Sequence, residues 1–352
     1  MRAGFLVLSC VLAAPLAAQP VAPPAPPPAA PPTAQPAGPY RVTHTYTLGG
    51  DGYWDYVIPD GTGHRLFIGR QDRVMVVDED DGTLLGEVTG IQGAHGTALA
   101  PETGHGFATS GRDASVVMFD LRSLKTLGRI SAAEDADAII YDNVSKRVFS
   151  LNGDAHSSTV IDPLSGVAIA NVQLPGKPEY GRSAGDGKMY VNLVDTNEIV
   201  EIDTGAAAIT QQWSTAPCER PVSMAIDTEH HRLFSGCRSG VLAVSDYEAG
   251  KLITTVPIGM GVDGAGFDPA TENVFTSNGE GTLTVIHQDS PDRYHVVQTL
   301  ETAPGARTMG FDPVNHRIFT VTAKLGPPAE GRRRGPVLPG TFELLVVERV
   351  AD

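Results

Sequence analysis

One short motif returns seven times along this chain, and its spacing limits what the chain can fold into. Each copy is a turn followed by a brief strand built around one aromatic: Arg65-Leu66-Phe67-Ile68, Gly106-Phe107-Ala108, Arg147-Val148-Phe149-Ser150 and Lys188-Met189-Tyr190-Val191. Arg232-Leu233-Phe234-Ser235, Asn273-Val274-Phe275-Thr276 and Arg317-Ile318-Phe319-Thr320 complete the series, with steps of 40, 42, 41, 44, 41 and 44 residues between aromatics. In most copies a β-branched strand ending in an acid follows, at 74–78, 115–120, 158–162, 199–203 and 241–246. A Gly-containing turn then leads to another apolar strand, as in Gly82-Thr83-Leu84-Leu85-Gly86-Glu87-Val88. Four short strands per unit, with period-two patterning and frequent turns, make a propeller blade. A parallel solenoid would need shorter, stricter repeats and capping ends. No stretch holds a helical period beyond two turns. The predicted fold is all-β: a seven-bladed β-propeller over residues 40–352.

Closure of the ring is readable as well. Blade seven supplies strands near 308–311, 318–321 and 342–348, and then lacks residues for a fourth. The run Arg41-Val42-Thr43-His44-Thr45-Tyr46-Thr47-Leu48 is strand-like and has no blade of its own. Pairing it with 342–348 removes two exposed strand edges at once.

The N-terminus reads as a secretory signal peptide, 1–18: Arg2 gives the positive end, 5–16 the apolar stretch, and Leu16-Ala17-Ala18 the small-residue cleavage site. Cys10 follows Val7-Leu8-Ser9 in a lipobox-like way, but six residues before that stretch are too few for an apolar core segment. Residues 19–39 carry ten prolines and form an extended Pro/Ala-rich spacer, expected to be disordered, that cannot bury a core. No segment is long and apolar enough to span a bilayer as a helix. The expected location is periplasmic or secreted, and the expected state a monomer.

Asp142, Asp162-Pro163, Asp268-Pro269 and Asp312-Pro313, with the repeated basic-x-Phe strands, resemble the YVTN repeats of YncE-type seven-bladed propellers. Cys218-Glu219-Arg220-Pro221, Gly261-Val262-Asp263-Gly264 and Gly279-Glu280-Gly281-Thr282-Leu283 fit the same group. The literal Tyr-Val-Thr-Asn tetrapeptide is absent, and Tyr190-Val191-Asn192 comes nearest. The resemblance covers roughly 40–350 and implies the fold and export. It does not imply an activity, since one fold hosts many roles.

Two cysteines remain after signal removal. Placing Met224 or Ala225 opposite Phe234 sets Cys237 opposite Pro221, with Cys218 at the same end, so a Cys218–Cys237 disulfide is expected in an oxidising compartment. A two-cysteine metal or redox site would want a CxxC spacing that is missing. Most of the ten histidines are turn residues: His64, His231 and His316 sit three before the marker aromatic, with His105 offset by one, in turns that different blades hold apart.

The informative register lies about twelve residues before each marker aromatic, at the start of the innermost strand. It holds Asp55, His95, Asp137, Pro178, Val222, Asp263 and Arg307. Allowing for a shorter turn in blade four, its equivalent lies nearer Gly181, flanked by Glu179, Tyr180 and Arg182; Glu219 and Arg220 precede the position in blade five. Innermost strands line the channel. Asp55, His95, Asp137, Asp263 and Arg307 therefore form an arc at one mouth, with Tyr53, Trp54, Tyr180, Arg182 and Arg220 near it. Such convergence reads as a ligand site, in which Asp55, Asp263 and Arg307 hold one another and leave His95 and Asp137 available to a ligand, or as a solvated polar channel in which Arg307 simply neutralises Asp55 and Asp263. No cofactor is expected, although Asp55, His95 and Asp137 could hold a divalent cation such as Ca²⁺.

The segment 324–340 is long for a blade loop and contains Arg332-Arg333-Arg334. It reads first as a flexible solvated insertion and second as a partner loop. The acidic balance, net −15, opposes nucleic-acid binding, which needs basic grooves. Triads, nucleophile elbows and phosphate loops are not detectable, so the residues lean away from an enzyme. The reading is an exported propeller that binds a small molecule or protein partner at one mouth. Alternatives are a metal-assisted lactonase-like or lyase-like enzyme at the same mouth, and an interaction protein or weak nucleic-acid binder acting through Arg332–Arg334.

Overall fold

The computed structural model describes residue 1, residues 38–331 and residues 334–350. The expected signal peptide, apart from residue 1, and nearly all of the expected Pro/Ala spacer lie outside the described residues, as do Arg332 and Arg333. Seven four-stranded antiparallel sheets follow one another in chain order and form a seven-bladed β-propeller. Blades one to six each take four consecutive strands. Blade seven takes three from the C-terminal end and its outermost from the N-terminal side, Tyr40–Thr47. That strand runs antiparallel to Glu343–Arg349, with Tyr40 opposite Arg349 and Thr47 opposite Glu343. Pairing of the two ends closes the ring as the sequence predicts.

The core is divided among the interfaces between blades, which is why the repeat is so strict. The seven marker aromatics all lie in second strands and are fully or almost fully buried. Phe67 of blade one packs with Val88, Ala108 and Phe119, drawn from blades one and two. Tyr40 of the closing strand packs with Phe275, Met309 and Ile318 of blades six and seven, its ring edge-on to Phe275 at 5.1 Å. Gln298 of blade six accepts from the Tyr40 amide and donates to its carbonyl, both at 3.0 Å. The closing strand is thus clasped by a neighbouring blade as well as by its own sheet.

The link from that strand into blade one is fixed by a buried arginine without a carboxylate partner. Arg70 donates to the carbonyls of Gly49, Asp51 and Gly52 at 3.3, 2.7 and 3.1 Å and lies over the Phe342 ring at 3.6 Å. Burial, with Arg73 nearby, lowers its pKa to about 10, so it stays charged at neutral pH.

Cys218 and Cys237 are disulfide-bonded, with a Cα–Cα separation of 5.7 Å, and Pro221 pairs with Cys237 as predicted. The bridge ties the entry of blade five to the end of its second strand, Arg232–Cys237. The described residues of segment 324–340 form a short paired stem. Leu325 and Val337 form a bridge, Gly326 N–H donates to the Pro336 carbonyl at 2.8 Å, and Leu338 N–H to that of Lys324 at 2.8 Å. Tyr53 Oη donates to the Gly335 carbonyl at 2.9 Å, which pins this hairpin against the entry to blade one. Prolines at 327, 328 and 336 restrict the backbone and favour one folded course.

Candidate functional site

In each blade one residue stands three positions before the cross-strand partner of the marker aromatic. Those partners are Ile58, Ala98, Ile140, Arg182, Ala225, Gly266 and Gly310. The ring positions are therefore Asp55, His95, Asp137, Glu179, Val222, Asp263 and Arg307. In six blades the ladder shifts register just here, for example between Trp54 and Val57 and between Ala136 and Ile139. A bulge of this kind re-aims a side chain out of the sheet. Blade four contributes Glu179, a correction to the Gly181 alignment: its inner strand starts with Pro178 opposite Leu193, just as Trp54 lies opposite Arg70.

The arc divides into two groups. Asp55, His95 and Asp137 form the first. His95 Nδ1 lies 2.6 Å from Asp55 Oδ2 and 3.4 Å from Asp137 Oδ1. Burial alone would lower the imidazole pKa, but the hydrogen bond it donates to Asp55 and the charges of Asp137 and Asp55 outweigh it and raise His95 to about 9. Burial raises Asp137 well above the usual carboxylate range; His95 opposes this while Asp55 and Glu179 add to it. The three residues place ligand atoms within 4.8 Å of one another, a spacing that could hold a cation. At neutral pH, however, a proton sits where that cation would go. The expectation that His95 stays free while Arg307 neutralises Asp55 does not hold, because Asp55 is the partner of His95.

Asp263, Arg307, Glu179 and Arg238 form the second group. Arg307 Nε is 3.2 Å from Asp263 Oδ2, and Arg238 lies 3.6 Å from both Asp263 Oδ1 and Glu179 Oε1. Arg238 comes from the turn that follows Cys237. It brings a charge to blade five, whose own ring residue is the apolar Val222. Burial, with Asp263 nearby, raises Glu179 to about 7 against the pull of Arg238. Burial also raises Asp263.

Tyr56, which follows Asp55, crosses the channel. Its hydroxyl donates to the Glu179 carbonyl at 3.3 Å, and its ring lies 5.2 Å from that of Tyr180 in blade four. Blades one and four face each other across the ring, so this pair floors the mouth and leaves a cup. Burial and the surrounding carboxylates hold the Tyr56 phenol well above its ordinary pKa, so it remains a neutral donor.

Other predicted site residues are placed differently. Arg182 lies deeper in blade four, stacked over Tyr180 at 5.1 Å, with Nε donating to the Met224 carbonyl at 3.1 Å. Arg220 is exposed in the loop before blade five, and its side chain bonds to no other described residue. His64, His231 and His316 are half-exposed turn residues with positive φ, the first two beside an acid of their own blade and His316 beside Asp268 of blade six. Trp54 lines a cavity of about 830 Å³ together with Tyr53, Arg238, Asp263, Arg307 and Arg334. It lies between blades six, seven and one, against the 324–340 hairpin.

No family model matches the sequence, and no curated protein matches it. Among solved structures the chain is similar to hydrazine synthase of Kuenenia stuttgartiensis, with a TM-score of 0.64 at 14% identity, over 79% of this chain and 94% of that one. At that identity the likeness carries the propeller fold alone.

Proposed function

We propose that the protein is an exported binding propeller that holds a small ligand at the mouth of its central channel. The observation that carries this reading is the floored cup: charged groups at six of seven ring positions, Tyr56 and Tyr180 beneath them, and an adjoining cavity of about 830 Å³. Small-molecule sites are concave, partly apolar, and carry a few converging polar groups. Export is supported by the leader-like residues 1–18, by the Cys218–Cys237 bridge, which suits an oxidising compartment, and by repeats of YVTN type.

The two tryptophans supply the test. Trp54 lines the cavity, whereas Trp213 is buried in the outer strand of blade four, Ala208–Ser214. In a Trp213→Phe background, a ligand at the mouth should change Trp54 emission and raise the melting temperature together. Ligands that raise the melting temperature while leaving Trp54 emission unchanged would place the site elsewhere.

A second reading rests on the Asp55–His95–Asp137 group, in which a bound divalent ion with an acid–base pair would suit a lactonase-like or lyase-like reaction. Stoichiometric metal in purified mature protein is the finding that would favour it.

A further inference from the structure

The geometry points to a small organic oxyanion as the ligand of the cavity between blades six, seven and one: a carboxylate, phosphate or sulfate group on an apolar or aromatic body. This rests on the mouth being a ligand site and names the chemistry it selects. Four cationic side chains line the cavity, Arg238, Arg307, Lys324 and Arg334, against two carboxylates, Asp263 and Glu343. The balance is net +2 in a chain of net −15. Such a local reversal of sign concentrates anions against the field of the whole molecule.

Only part of that positive charge is satisfied within the protein. Arg307 and Arg238 share Asp263 at 3.2 and 3.6 Å. Arg334 and Lys324 make no ion pair with any other described residue, and Arg334 bonds to none through its side chain. Arg334 is crowded chiefly by Arg307, and then by burial, which lower its pKa. Guanidiniums brought together without enough acid are relieved by a bound oxyanion, whose oxygens accept forked N–H pairs. The remaining wall is apolar or aromatic: Tyr53, Trp54, Val262, Pro304 and Leu325 among others. The hairpin that delivers Arg334 is tied to Tyr53 through Gly335, so head-group and body contacts come from one joined unit.

Four probes with one ring test the class: phenyl phosphate, benzoate, benzyl alcohol and benzylamine. Each is titrated into the Trp213→Phe protein by calorimetry and Trp54 emission at constant ionic strength, because exposed charges are screened by salt. Phenyl phosphate and benzoate should bind at one site, and benzyl alcohol and benzylamine at least tenfold more weakly. Arg334→Gln should weaken the anions roughly tenfold or more, the scale of one charged hydrogen bond. Lys146→Gln, which removes a surface charge paired with Glu102 in a turn outside the mouth, should leave them within about twofold. Phosphate binding without benzoate binding would narrow the head group to a phosphoryl or sulfuryl oxyanion. Benzylamine or benzyl alcohol changing Trp54 emission as strongly as the anions would overturn the class and leave the mouth standing. Anion binding indifferent to both Arg334→Gln and Arg238→Gln would also overturn it. If no probe and no library ligand alters Trp54, both readings fall.

Discussion

Glu179→Gln should stabilise the protein at pH 8 and give no gain at pH 5. Glu179 is only 18% exposed, lies with Asp263 on either side of one guanidinium, and has its pKa raised from 4.5 to about 7. An acid raised in the fold costs stability when ionised. Below pH 4.5 folded and unfolded chains both hold the proton and nothing differs. Between 4.5 and 7 the unfolded chain releases it first, so stability falls as pH rises, and above 7 the whole cost is present. At about 1.4 kcal/mol for each pH unit, that cost is about 3 kcal/mol. Glutamine keeps the shape, loses the charge-assisted contact with Arg238 and carries its own burial cost, which leaves a net gain of about 1–2 kcal/mol at pH 8. For a domain of this size that is a rise of a few degrees in melting temperature. The assay is urea unfolding of parent and variant at pH 5, 6, 7 and 8, with Glu219→Gln, in an exposed loop, controlling for loss of one charge. A gain at pH 8 no larger than at pH 5 would refute the argument. The variant also removes a counter-charge of Arg238, so phenyl phosphate should bind it more tightly at pH 8. A residue that weakens the fold while tuning a site is expected where function competes with stability.

The other predictions test the seam, the bridge and the histidine. Tyr40→Ala removes a buried ring and the hydroxyl that accepts from Asn273, while the backbone bonds to Gln298 remain; denaturant unfolding should show a loss of about 3–5 kcal/mol, and a loss below about 1 kcal/mol would mean that the ring does not hold the seam. Reducing Cys218–Cys237, residues 19 apart, should cost about 3 kcal/mol by the chain-entropy estimate; free thiols at both positions in exported protein would remove the bridge. A Ca²⁺ ion entering among Asp55, His95 and Asp137 must displace the proton held up to about pH 9, so its affinity should rise up to about tenfold per pH unit between 7 and 9; calorimetric titrations alike at both pH values would contradict the proton's position.

The blades were legible because each interface needs the same buried aromatic at the same height, which leaves a countable mark in the chain. The mouth was harder to read, for identifiable reasons. Counting back from the aromatic crosses the connecting turn, whose length varies, so Glu179 was misassigned; counting from the aromatic's partner across the ladder does not cross it. Arg238 reaches the ring from a turn rather than an inner strand. The available signal was Val222, a single apolar residue in an otherwise polar register. Tyr56 is indistinguishable by type from Tyr53 and Trp54, and only the closed ring brings it to Tyr180. Arg334 was visible, but its grouping with Arg307 depends on the hairpin folding back, which the proline pattern hints at without fixing a direction.

The seam has a consequence for timing. Tyr40 is the first residue of its strand, and Arg349, opposite it, is the last of its own. Earlier blades can pair locally as their strands appear, but the seventh lacks one member of its sheet until both ends of the domain are free at once. Contacts this distant in sequence form late, and an unsealed blade leaves strand edges exposed meanwhile. A ring fastened at its own ends therefore completes its last sheet only when the first and last strands of the domain are present together.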